Sequence, residues 1–112
     1  MKLKVSELEE GKLLNWAVAK CEGVSLGSFL SARQYSEHAY QYSTGWFQAG
    51  PIIEREKMSI AYNFDERIWE AGWDCHVKGW GDTPLIAAMR CYVANELGDE
   101  VEVPDELLER EV

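Results

Sequence analysis

One stretch decides the fold of this chain: TPLIAAMRCYVANELG, from Thr83 to Gly98. It opens with Asp82 or Thr83 as a helix cap, continues with a proline and ends with a glycine, which is the usual order of signals around a helix. Only three side chains between residues 85 and 97 are strongly polar. A helix that is apolar on nearly every side packs against more than one neighbour. The stretch therefore predicts a buried helix over about residues 84–97.

A second helix is predicted near the N-terminus. The apolar residues before Gly23 recur every three or four positions, and a capping box begins at Ser6. These signals predict a helix over about residues 7–22. Gly11 falls inside its second turn, so a start near Lys12 is the alternative.

The middle of the chain predicts strands. Apolar and polar residues alternate on both sides of a turn, which predicts a β-hairpin over about residues 58–73. Upstream, Gly50 and Pro51 predict a turn, and an extended segment begins after it at Ile52. Residues 24–45 have no sustained period, so one or two short strands joined by a long loop are expected there.

Together these elements predict an α+β fold. A small antiparallel sheet, formed by the hairpin over residues 58–73 and short strands, packs against the helices over about 7–22 and 84–97. A chain of 112 residues, 46% of them apolar, fits one domain over residues 1–112. An acidic tail is expected over about residues 104–112.

The net charge of −9 is concentrated at the C-terminus. Seven acidic residues and one arginine give residues 98–112 a net charge of −6, which leaves −3 for the other 97 residues. A body without a basic stripe argues against a nucleic-acid partner. No apolar run approaches the roughly 18 residues of a membrane span, and the first ten residues do not resemble a signal peptide. We therefore expect a cytoplasmic protein with reduced cysteines and no membrane partner.

Three blocks of sequence stand out for their length and composition. They are NWAVAKCEG at residues 15–23, YST followed by W and GPIIER within residues 42–55, and TPLIAAMRCYV followed by GDEVEVP within residues 83–104. In this order they resemble the NinX-like family of lambdoid phage proteins. Gly45 and Ala49 depart from the family, which tends to carry a polar residue and a second glycine there. The resemblance implies a phage accessory protein made inside a bacterial host, and it implies no particular reaction.

One cluster of residues favours ligand binding. An aromatic ring at Trp46, a rigid Gly-Pro turn and a guanidinium at Arg55 suit a planar, anionic ligand that stacks on the ring and binds the guanidinium through phosphate or carboxylate. Arg90 must reach solvent, a carboxylate or a ligand, because a buried unpaired charge is costly. The predicted ligand-binding residues are Trp46, Gln48, Gly50, Pro51, Arg55 and Arg90. The alternative is structural: Trp46 covers the core and both arginines form salt bridges.

No catalytic or metal-binding motif is recognisable in the sequence. Cys21, Cys75 and Cys91 are widely spaced, whereas structural zinc sites usually bring closely spaced ligand pairs. The carboxylates around the hairpin are typical of exposed turns and edges. We therefore expect no metal and no cofactor, and an enzyme is the least favoured class.

Two functional hypotheses remain. The first is a binding protein that sequesters a nucleotide-type small molecule of host defence, with its pocket at the interface of a homo-oligomer. The second is an interaction module that inhibits or modulates a host protein through exposed aromatic residues or the acidic tail.

Overall fold

The fold is described from a computed structural model that covers residues 1–108; residues 109–112, at the end of the predicted acidic tail, lie outside the described residues. This part of the chain contains four α-helices: α1 Lys12–Cys21, α2 Leu26–Tyr35, α3 Trp46–Glu56 and α4 Pro84–Leu97. It also contains five strands: β1 Lys2–Lys4, β2 Ser59–Asn63, β3 Ile68–Trp73, β4 His76–Gly81 and β5 Glu100–Glu102. Single turns of 3-10 helix lie at Val5–Glu7 and Asp105–Leu107. The predicted α+β class is confirmed.

The strands form two antiparallel sheets. The larger has the order β2-β3-β4, and the smaller is the ribbon of β1 and β5, in which Leu3 faces Val101. The pairing of β2 with β3 is regular, whereas the pairing of β3 with β4 shifts register between Ala71 and Gly72. This shift leaves Lys78 without a partner on β3 and makes it the extra residue of a β-bulge.

Helix α4 lies at the centre of the core, as its sequence predicts. Thr83 caps it by accepting a hydrogen bond from the Ile86 N–H at 3.1 Å, and eight of its side chains are buried. Strand β4 approaches it so closely that a Cβ added at Gly79 would lie 2.1 Å from the Ala87 carbonyl oxygen. Backbone contact of this kind needs glycine, which explains why the strand carries Gly79 and Gly81.

The first helix begins later than predicted. Ser6 does not cap it, since residues Val5–Glu7 form a separate 3-10 turn in which the Glu7 carboxylate accepts from the Lys4 N–H. Gly11 then adopts a φ of 105°, a conformation that favours glycine and interrupts the chain before Lys12. The predicted start at residue 7 is wrong, and the alternative start at Lys12 is the observed one.

The prediction of a Gly-Pro turn and an extended segment after it is wrong. Helix α3 runs through both residues, with Pro51 on its exposed side and Ala49 and Ile52 buried. Proline in a helix removes one backbone hydrogen bond, here the one to the Phe47 carbonyl. Burial of the apolar face outweighs that loss. Helix α2, capped by Ser25, also replaces part of the loop expected over residues 24–45. No helix within residues 1–108 is long and apolar enough to cross a membrane.

Candidate functional site

A groove of about 940 Å³ lies between the N-terminal segment, β4 and α4. We call it the Arg90 groove. The side chains that give it chemical character are Lys4, Lys78, Trp80, Arg90, Asp99 and Glu100. Three of these are cations, two are carboxylates and one is an indole. The groove therefore offers charge of both signs and one aromatic surface.

Arg90 joins the two walls of the groove. Its Nε and one terminal nitrogen donate to the Leu8 carbonyl at 3.1 and 3.0 Å, and its other terminal nitrogen donates to the Trp80 carbonyl at 2.9 Å. The guanidinium is half-buried, and no carboxylate within residues 1–108 lies within 4.0 Å of it. Burial lowers the pKa of Arg90, while the carboxylates of Asp82 and Glu9 act in the opposite direction. The predicted structural salt bridge is replaced by bonds to backbone carbonyls.

Trp80 and Lys78 form the β4 wall of the groove. The Trp80 indole is 45% exposed, and its N–H donates to the Glu70 carboxylate at 3.3 Å. Lys78 extends from the β-bulge and is exposed. On the opposite wall, Lys4 is the cross-strand neighbour of Glu100, which partly offsets its charge. The net positive character of the groove thus lies on the β4 side.

Arg55 lies outside this groove in a polar network of its own. Its two terminal nitrogens donate to the Glu22 carboxylate at 3.1 and 2.8 Å, one of them also donates to the Tyr92 hydroxyl at 3.0 Å, and its Nε donates to Glu56 at 2.9 Å. The Tyr92 hydroxyl donates to Glu22 in turn. The hydrogen bond from Arg55 lowers the pKa of Glu22, and burial together with the bond to Glu22 raises the pKa of Tyr92.

The structure does not bring Trp46 and Arg55 together. Trp46 is the first residue of helix α3, and Arg55 lies in its last turn, nine residues later. Nine residues make two and a half helical turns, so the two side chains leave opposite faces about 13.5 Å apart along the axis. Trp46 instead lines a small cavity of about 220 Å³ with Thr44 and Pro84. Neither described cavity contains both residues.

The other predicted residues of α3 have local structural contacts. The Gln48 side chain accepts from the Gln41 N–H and donates to the Ala39 carbonyl, which holds the loop before α3. A Cβ added at Gly50 would meet nothing within 4 Å. Pro51 is exposed. Of the six predicted residues, Arg90 is the one that lines the large groove.

No cysteine is among the residues that line the groove. Burial raises the pKa of the Cys21 thiol to about 12 and that of Cys91 to about 11. Cys75 is exposed in the turn between β3 and β4. The described residues include no group of three histidine, cysteine or acidic side chains that could hold a metal ion.

Comparison with known families decides the classification. Residues 4–96 match the family described as Bacteriophage P22, NinX. The chain belongs to the NinX family. The resemblance of its three sequence blocks is thereby confirmed. A search of curated proteins finds no match.

The part of the chain that matches the NinX family includes most of the groove. Lys4, Lys78, Trp80 and Arg90 lie within the matched residues, whereas Asp99 and Glu100 follow them. Sequence reasoning missed the β4 wall because Gly79-Trp80-Gly81 does not alternate in the way a half-buried strand does. The sequence does carry one signal for this strand: two glycines flank an aromatic residue. Glycine within a strand indicates close contact with another backbone segment.

Proposed function

We propose that this NinX family member acts by binding rather than catalysis, and that the Arg90 groove takes a planar, anionic ligand of the nucleotide type. One observation carries the proposal. A half-buried guanidinium with no carboxylate within 4.0 Å among residues 1–108 lies in a groove of about 940 Å³ that the exposed residue Trp80 also lines. Cation and aromatic surface together are what a nucleotide requires.

The size of the groove supports a ligand of this class. Pockets for small organic ligands generally enclose about 300–1,000 Å³. At about 940 Å³ the groove is at the upper end of that range and is larger than a single inorganic anion needs. It is a groove open to solvent rather than an enclosed cavity.

The cations supply the phosphate-binding half of the proposed site. An arginine carries five N–H groups, and the three hydrogen bonds of Arg90 leave two for a ligand. Lys78 lies on the same wall and adds a flexible point charge. A phosphate bound between Arg90 and Lys78 neutralises a charge that is otherwise partly desolvated.

The remaining side chains suit the rest of a nucleotide. The exposed Trp80 ring provides a stacking surface, and base–aromatic stacking contributes about 1–3 kcal/mol. Asp99 and Glu100 on the opposite wall accept hydrogen bonds from sugar hydroxyls. The acidic wall also disfavours highly charged polyanions, which is consistent with a small ligand rather than a nucleic-acid strand.

The phage origin of the family suggests how such binding is used. We propose that the protein remains in the cytoplasm of the bacterial host, where it sequesters a nucleotide signal of host defence. Sequestration needs no cofactor and no chemical step. It needs only a dissociation constant below the concentration of the signal.

Calorimetric titration with nucleoside mono-, di- and cyclic phosphates tests the proposal. We expect binding by the wild type, loss of affinity in Trp80→Ala and Lys78→Ala, and unchanged affinity in Trp46→Ala and Lys2→Ala. The last two are matched controls, since Trp46 is another exposed indole and Lys2 another exposed strand lysine outside the groove. Equal binding by Trp80→Ala and the wild type would refute the site.

A second candidate function is inhibition or modulation of a host protein. It is favoured by the first turn of α3, where Phe47 is 93% exposed and Trp46 is 56% exposed. Neighbouring exposed aromatic residues are enriched in protein interfaces. Purification from the host should then recover a specific partner with the wild type and with Trp80→Ala, but not with Phe47→Ala. Equal recovery with Phe47→Ala would remove this surface from consideration.

A further inference from the structure

The larger sheet has two free edges within residues 1–108, and they differ in kind. We infer that the β2 edge is a homodimer interface, at which β2 of a second copy pairs antiparallel with the two Ala61 residues opposite each other. This pairing joins two three-stranded sheets into one sheet of six strands. Main-chain pairing at an exposed sheet edge is a recurring mode of association.

The β4 edge is protected against pairing. Lys78 occupies its bulge, and the Trp80 carbonyl already accepts a hydrogen bond from Arg90. Edge lysines, bulges and covered backbone groups are the devices by which proteins prevent edge-to-edge association. These features make the β4 edge unsuitable for pairing with a strand of a second copy of the chain.

The β2 edge has none of these devices. Its sequence SIAYN contains no charge and no proline, and its five residues pair with β3 without a register shift. A regular, uncharged edge strand is a template for another strand. The contrast between the two edges of one sheet indicates that β2 is left open for a partner.

The sequence of β2 is complementary to itself in this register. When Ala61 faces Ala61, Ile60 faces Tyr62 of the second copy, and Ser59 faces Asn63. The first is a pair of a β-branched and an aromatic residue, and the second is a pair of hydrogen-bonding side chains, both of which stabilise antiparallel neighbours. A shift by one residue would put apolar and polar side chains opposite one another.

Exposed apolar side chains lie along the same edge. Ile60 and Tyr62 are only half-buried, and Phe64 just beyond the strand is 81% exposed. The Phe64 ring packs edge-on against Tyr62 with centroids 4.9 Å apart, so it is held next to the edge. The proposed register brings Phe64 close to Met58 of the second copy. Dimerisation therefore covers an apolar row that the single chain leaves in water.

Charges at the two ends of β2 fit the same register. Lys57 precedes the strand and Asp65 follows it, and both are exposed. Antiparallel pairing about Ala61 brings Lys57 of each copy towards Asp65 of the other. Opposite charges placed in this way favour the pairing and fix its direction. The β4 edge, with the Arg90 groove, remains at the far ends of the six-stranded sheet.

Sedimentation velocity over a range of concentrations tests the interface. The wild type should sediment as a dimer of the 12.8 kDa chain. Ala61→Lys and Ala61→Glu should each be monomeric, because two like charges meet at the two-fold axis, and an equimolar mixture should restore a dimer. Val77→Lys on β4 is the matched control and should remain dimeric, since Val77 is also exposed on an edge strand.

Hydrogen exchange of the wild type gives a second measurement that needs no variant to fold. The amides of Ser59–Asn63 should gain protection as concentration rises, while those of His76–Gly81 should not. A wild type that remains monomeric at every concentration, or an Ala61→Lys variant that sediments like the wild type, would overturn the inference.

Discussion

Arg55 and Glu22 form a two-pronged ion pair that joins the ends of α3 and α1 across 33 residues of sequence. The Tyr92 hydroxyl bonds to both partners and connects the pair to α4. Three helices thus meet at one small polar network on the edge of the core. This arrangement explains why Arg55, which sequence reasoning assigned to a ligand, contributes to the packing of α3.

Removal of the guanidinium should destabilise the fold without affecting the groove. We expect Arg55→Ala to lower the free energy of unfolding by about 1–2 kcal/mol, because charged hydrogen bonds to Glu22 are lost but the Arg55 side chain is half exposed. Arg33→Ala is the matched control and should lower the free energy of unfolding by less than Arg55→Ala does. Arg33 makes one exposed hydrogen bond to a carbonyl and a cation–π contact with the Phe29 ring, but it forms no ion pair with a carboxylate within residues 1–108. Urea denaturation measures both. If Arg55→Ala were as stable as the wild type but no longer bound nucleotide, Arg55 would belong to the ligand-binding site.

The same pair predicts an acid-sensitive contribution to stability. Arg55 lowers the pKa of Glu22 below its ordinary value of 4.5. The unfolded chain therefore takes up this proton first as the pH falls, so the stabilisation is complete above about pH 4.5 and is lost as the pH drops through the folded pKa. Denaturation curves between pH 7 and pH 3 should show a shallower decline for Glu22→Gln than for the wild type. Parallel declines would show that Glu22 has no such role.

The contact between β4 and α4 should tolerate no side chain at Gly79. An added Cβ would lie 2.1 Å from the Ala87 carbonyl oxygen and 2.5 Å from the Cys91 amide nitrogen, so backbone must move. We expect Gly79→Ala to cost more than about 3 kcal/mol. Gly50→Ala is the control: Gly50 lies inside α3 with open space around it, so alanine should stabilise the helix by about 0.5–1 kcal/mol. An equal or higher free energy of unfolding for Gly79→Ala would contradict the close contact between β4 and α4.

The elements that sequence predicts well have strong local signals. Helix α4 has a cap, an N-terminal proline, a terminal glycine and a continuous apolar content, and it was predicted at its observed bounds. The hairpin of β2 and β3 has a clear period of two. In both cases the local preference and the tertiary packing favour the same structure.

The errors arise where tertiary packing overrides a local signal. Gly50 and Pro51 are typical of a turn, yet they lie inside α3 because Ala49 and Ile52 bury an apolar face there. That spacing of three was the helical signal to weigh against the proline. The mistake affected the candidate site, because a turn at Gly50 and Pro51 could have brought Trp46 and Arg55 together, whereas the helix places them on opposite faces.

The Arg90 groove could be predicted only in part. The sequence identifies Arg90 as a cation on an apolar helix, which requires a partner. It does not reveal that β4 and the N-terminal segment meet over it, because Leu8 and Trp80 provide backbone carbonyls rather than a recognisable motif. Contacts between backbone segments that are distant in the chain leave no local pattern in the amino-acid sequence.

A titration followed by nuclear magnetic resonance shows which indole contacts the ligand. The five tryptophans give five indole N–H signals, which single substitutions to phenylalanine assign. On addition of a nucleoside monophosphate or a cyclic nucleotide, we expect a saturable shift of the Trp80 signal and an unchanged Trp46 signal. A shift of Trp46 with Trp80 unmoved, or no shift of either with any nucleotide, would contradict the proposed site.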